Sequence, residues 1–105
     1  MTETATREVF GELIALLREI DARYLGPEWR IADPGSVVDG HALALHLLAA
    51  GIDLYLDADP ERPRFVSMVT PSRKLLGDNP DAFYYLAPLS GARAYRIRGN
   101  IAGAV

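Results

Sequence analysis

The sequence predicts an α+β fold: two N-terminal helices packed on a small, mostly antiparallel sheet. It also predicts that the fold is incomplete without a partner chain. Three observations lead there. Apolar side chains recur every three or four positions over residues 6–25, the spacing of one helical face. Residues 36–57 keep a helical spacing but are apolar on nearly every side. From residue 61 onward, short aromatic and alternating segments replace that period, as strands do.

In the first helix, Val9, Leu13, Leu16, Leu17, Ile20 and Tyr24 form the stripe, with Phe10 and Ile14 beside it. Thr6 is the expected N-cap, because its hydroxyl accepts a free first-turn amide. Gly26-Pro27 is the expected stop, glycine taking the left-handed cap and proline refusing to continue. A linker over 27–35 follows, anchored by Trp29 and Ile31. Ser36 and Asp39 read as a capping box for the second helix. Leu43, Leu45, Leu47, Leu48, Ile52, Leu54, Tyr55 and Leu56 surround that helix. A helix apolar all round needs cover on several sides, and two helices with a short sheet supply little of it.

Residues 57–63 read as a solvated turn, 65–69 as a short strand, and 77–81 as a turn dense in Gly, Asp, Asn and Pro. Residues 83–87 are rich in strand-forming aromatics. Over 94–99, Tyr95 and Ile97 alternate with Arg96 and Arg98, the period of a strand. The apolar residues 100–105 read as the entry to a further strand, and an open strand edge invites pairing.

The 105 residues make one small domain, 1–105, in two unlike parts. Residues 1–60 are helical and carry a net −7, while 61–105 are β-rich and carry +4. The halves either attract each other or leave the second facing an anion. The total of −3 argues against nucleic acid as a partner. With no cysteine, thiolate metal sites, disulfides and cysteine nucleophiles are excluded. No basic and apolar leader opens the chain, so the expected location is cytoplasmic. No uninterrupted apolar run of about 18 residues occurs, so no membrane span is expected. No Gly-x-Ser-x-Gly, Gly-rich phosphate loop or His-Glu-x-x-His is present. No cofactor is therefore expected, and no reaction is legible.

The run Met68-Val69-Thr70-Pro71-Ser72-Arg73-Lys74-Leu75-Leu76-Gly77-Asp78-Asn79-Pro80-Asp81-Ala82-Phe83-Tyr84-Tyr85-Leu86-Ala87-Pro88-Leu89, followed by Tyr95-Arg96-Ile97-Arg98-Gly99-Asn100, carries a resemblance. It resembles the bacterial domain-of-unknown-function family twelve-fourteen, most strongly over 65–105. The helical half is similar only to the N-terminal region of longer members. The resemblance implies further β-strands beyond this chain, in a sandwich-like sheet domain. It supplies no reaction and no catalytic residue.

Two clusters are candidate binding residues. Asp78, Asn79 and Asp81 offer carboxylates and an amide within four positions, enough to meet a polar ligand or to satisfy their own turn. Arg96 and Arg98 share a strand face, and with Arg73 and Lys74 they form an anion patch. Tyr85, with Tyr84 and Tyr95, is placed to line it. His46 is expected to be buried against a carbonyl or carboxylate, while His41 diverges from it by about 140°. The favoured function is a small-ligand-binding or assembly domain, self-associating through its C-terminal strand and apolar second helix. The alternative is an enzyme-like pocket around Asp78, Asp81, Arg96 and Arg98 acting on a small polar or anionic substrate.

Overall fold

The computed structural model describes residues 2–75 and 77–101. Helix α1 spans Glu3–Glu19 and runs on through a π-helical turn, Ile20–Tyr24. A 3₁₀ turn, Pro27–Trp29, leads to helix α2, Pro34–Gly51, which ends in a second π-helical turn, Ile52–Leu56. Strands β1 (Val66–Ser67) and β2 (Tyr85–Leu86) pair antiparallel, Val66 opposite Leu86 and Ser67 opposite Tyr85. The fold is α+β with the helices N-terminal, as the sequence predicts.

The helix starts differ from expectation. Thr2, not Thr6, caps α1: its hydroxyl accepts the Ala5 amide at 3.2 Å. Thr6 lies inside the helix and donates its hydroxyl to the Thr2 carbonyl at 2.9 Å. Asp33, not Ser36, caps α2, with Pro34 at the first helical position. Its Oδ2 accepts both the Ser36 amide, at 2.9 Å, and the Ser36 hydroxyl, at 3.2 Å. A carboxylate is the stronger acceptor, and proline after it loses no hydrogen bond. Gly26 does end α1, but in an extended conformation (φ −123°). The left-handed residue is Arg30, at φ 59°.

Both helices close alike. The Leu25 amide reaches back five residues to the Ile20 carbonyl at 3.1 Å, and the Asp57 amide to the Ile52 carbonyl at 2.9 Å. Each π turn carries an aspartate at its second position. Asp21 meets His41 on α2 at 2.7 Å, and Asp53 meets Arg73 beyond β1 at 3.0 Å. These two polar ties hold successive elements together. The helices touch where Leu25 lies over Gly40, whose missing Cβ leaves the room. Trp29 packs on Tyr24, ring centroids 5.6 Å apart, and stays exposed rather than anchoring a core.

The apolar core is nearly absent. Ala50 is the one buried apolar residue among those described. Of the expected stripe on α1 and its π turn, Leu13, Leu17 and Ile20 are half-covered, while Val9, Leu16 and Tyr24 face solvent together with the neighbouring Phe10 and Ile14. On α2, Val37, Ala44 and Leu48 are half-covered, while Val38, Leu43, Leu45 and Leu47 are exposed. The radius of gyration is 18.2 Å, against about 13 Å for a compact chain of this length. The accessible area is 9006 Å², against roughly 5,800 Å² for a folded monomer of this mass.

One expected strand is corrected. Residues 94–99 run without a ladder partner, so their alternation makes no strand; a strand needs a neighbour to receive its hydrogen bonds. Of the expected final strand, residues 102–105 lie outside those described. In addition, Pro34–Leu56 forms one continuous helix containing an 18-residue stretch with a mean hydropathy of 1.4, long and apolar enough by length and composition to cross a membrane. Asp39, His41, His46 and Asp53 interrupt the apolar run without lowering its mean enough to exclude it.

Candidate functional site

The expected anion patch separates into two places with different chemistry. The first is the turn after β1. Arg73 lies there, and it is buried at 9 % exposure. Its Nε donates to the Met68 carbonyl at 3.1 Å, one terminal nitrogen to Asp53 at 3.0 Å, and the other to the Ser67 carbonyl. Its own amide donates to the Thr70 hydroxyl at 2.9 Å. Each of its three side-chain nitrogens has a partner inside the chain. Arg73 is a structural tie and is closed to a ligand.

The neighbouring residues are also internally engaged. Lys74 lies 3.5 Å from Asp78, whose side chain is largely buried. Asn79 Oδ1 accepts the Asp81 amide at 2.9 Å, the Asn79 carbonyl accepts from Ala82 at 3.1 Å, and the Asn79 amide donates to the Tyr84 hydroxyl at 2.9 Å. This is a turn whose polar groups satisfy its own backbone. No hydrogen bond or ion pair joins Asp78 or Asp81 to Arg96 among the described residues. Asp78 lines a separate depression with Met68, Val69 and Leu75. No three His, Asp or Glu side chains among the described residues group as metal ligands. The histidine that finds a carboxylate is His41, not the half-buried His46.

The second place is a groove of about 370 Å³ at the end of the short ladder. Pro63, Arg64 and Phe65, leading into β1, form one side. Ala87 and Leu89, leaving β2, form another, and Arg96, Ile97 and Arg98 form the third. Tyr95 sets that third side in place. Its hydroxyl donates to the Pro60 carbonyl at 3.0 Å and accepts the Ser90 amide at 2.9 Å. The adjacent Arg93–Glu61 ion pair makes a second tie across the same gap. Tyr85 is exposed and does not line the groove.

Arg64 belongs to this group, and sequence reasoning passed over it. Its signal was weak: it lies between prolines and a phenylalanine, more than thirty residues from Arg96. The long-range Tyr95–Pro60 bond is what brings the two segments together.

No family model, no curated protein and no solved structure matches the chain.

Proposed function

We propose that this chain is an assembly module, completed when a second copy covers α2 and the exposed flanks of α1. The observation that carries the reading is the surplus of exposed surface. A single copy exposes 9006 Å², on the order of 3,000 Å² more than a compact monomer of its mass. A standard dimer interface buries about 800 Å² per partner, and obligate interfaces bury about 1,000–2,500 Å² per partner or more. The surplus therefore fits an extensive, obligate interface rather than a transient patch. Leu43 and Leu47 form one exposed apolar row on α2, and Val38 and Leu45 form another. The resemblance of residues 65–105 to a family with further strands offers a related source of cover.

Sedimentation velocity across micromolar concentrations tests this. The expected result is a dimer or larger species. Leu43→Lys with Leu47→Lys is expected to shift it towards monomer. A compact, cooperatively folded wild-type monomer overturns the proposal.

A second reading is favoured by one observation: the length and hydropathy of Pro34–Leu56 suit a membrane span. A helix of 23 residues is roughly 34 Å long, enough for a hydrocarbon core. Against it, the helix carries Asp39 and Asp53 towards its two ends and His46 at its middle, and polar or ionisable side chains inside the hydrocarbon region are costly. Flotation with phospholipid vesicles separates the readings. Assembly predicts that the protein stays with the aqueous fractions, and a span predicts that it floats.

A further inference from the structure

We infer that the groove between Arg64, Arg96 and Arg98 binds a small amphipathic carboxylate, its head held by the guanidinium groups and its apolar chain laid against Phe65, Leu89 and Ile97. The inference stands apart from self-assembly, which uses α2 and α1.

The charge distribution selects this place. The chain has eleven Lys and Arg. Six pair with a carboxylate: Arg7, Arg23, Arg62, Arg73, Lys74 and Arg93. Among the described residues the other five make no ion pair, and three of those five line this one groove. Three arginine side chains without an ion-pair partner around one groove give it a local positive charge, which favours an anion there. Arginine is also the side chain best shaped to hold a carboxylate, through two parallel N–H donors.

The rest of the lining selects the other end of the ligand. Pro63, Phe65, Ala87, Leu89 and Ile97 present hydrocarbon between the cations. A bare inorganic anion would leave that surface wet, and a neutral lipid would leave the guanidinium groups without a counter-charge. A molecule with one carboxylate and an apolar body meets both demands. The volume of about 370 Å³ falls in the lower part of the range for small-molecule sites, roughly 300–1,000 Å³. The Tyr95–Pro60 hydrogen bond and the Arg93–Glu61 pair hold the third wall before any ligand arrives, which limits the ordering cost of binding.

Decanoate is the probe, with decanol and acetate as controls, using calorimetry and the arginine Nε–Hε signals of the full chain. Decanoate is expected to bind at least roughly tenfold more tightly than either control, as loss of charge-assisted hydrogen bonds or of the apolar contact implies. It is expected to perturb the Arg64, Arg96 and Arg98 signals. The triple variant Arg64→Gln, Arg96→Gln, Arg98→Gln should keep the wild-type circular dichroism, because no ion pair in the described chain is lost, and should bind decanoate at least roughly tenfold more weakly. Three results overturn the inference. They are equal binding of decanol and decanoate, decanoate binding unchanged in the triple variant, and binding to anionic phospholipid vesicles with none to free decanoate. If the triple variant loses its fold, the head-group comparison and the Nε–Hε signals on the wild-type chain still decide.

Discussion

Replacing Arg73 with alanine removes the tie between the helical half and the sheet. The side chain is 11 % exposed and lies 3.0 Å from Asp53, which is 38 % exposed. It also serves the carbonyls of Ser67 and Met68. A hydrogen bond involving a charged group contributes about 1.5–3 kcal/mol. Breaking one partner out of a fully buried pair costs about 3–5 kcal/mol. Asp53 is more than a third exposed and regains water when its partner goes, which lowers the upper figure. Arg73→Ala is therefore expected to cost about 2–4 kcal/mol. The whole stability of a domain this size is roughly 5–15 kcal/mol, so the effect is large. Urea unfolding followed by circular dichroism, at one fixed protein concentration, measures it. Arg73→Lys should fall between, because an ammonium keeps the charge but not the fork that reaches two carbonyls. Asp53→Asn should cost less than Arg73→Ala, because the carbonyl contacts survive. A loss below about 0.5 kcal/mol for Arg73→Ala, the range of ordinary surface changes, refutes the role given to this residue.

Two further outcomes concern the helices. Asp33→Ala removes the α2 cap and should cost about 1 kcal/mol in the same urea assay, whereas Thr6→Ala, inside α1, should cost less than Thr2→Ala. Gly51 has open space where a Cβ would sit, so Gly51→Ala should stabilise by about 0.5–1 kcal/mol through helix propensity. Gly40→Ala should lose that gain, because its Cβ would strike the Leu25 side chain. Adding Leu25→Ala to Gly40→Ala should cost less than Leu25→Ala alone, a coupling that thermal melts of the four chains measure.

What the sequence disclosed was local, and what it hid was long-range. The stripe of Val9, Leu13, Leu16, Leu17, Ile20 and Tyr24 announced α1 because a helix's period is written in consecutive residues, although Val9, Leu16 and Tyr24 stay exposed. The apolar girth of α2 announced a shortage of cover for the same reason. The caps were misplaced by three or four residues because Thr2 competes with Thr6, and Asp33 with Ser36; proline directly after Asp33 was the cue that decides the second case. Arg73 read as a member of an anion patch because its partners are two carbonyls and an aspartate twenty residues earlier, and no spacing rule joins them. The alternation over 94–99 misled because the period of a strand says which way side chains point, not whether another strand lies alongside. The candidate residues Arg96 and Arg98 do line a groove, but their third companion is Arg64 rather than Arg73. A tyrosine hydrogen bond spanning 35 residues makes that choice.

The contacts within one copy are mostly polar and point-like: His41 on Asp21, Arg73 on Asp53, Arg93 on Glu61, Tyr95 on Pro60. Contacts of that kind fix orientation, yet most of them are exposed, and an exposed ion pair contributes only about 0–1 kcal/mol. The dominant stabilising term in folding is apolar burial, and α1 and α2 withhold most of theirs from the single copy. If a second copy supplies the cover, folding and association are one equilibrium. Stability must then depend on concentration, because mass action favours the assembled folded state. For a dimer, each tenfold rise in protein concentration should raise the apparent unfolding free energy by about 1.4 kcal/mol. The urea midpoint of the wild-type chain should therefore climb steadily from sub-micromolar to tens of micromolar, with circular dichroism as the reporter. The Leu43→Lys, Leu47→Lys chain should show a lower midpoint and a flatter climb. A wild-type midpoint that stays fixed across that range would mean that one copy is stabilised without a partner, and the surplus of exposed apolar surface would then need no second copy to explain it.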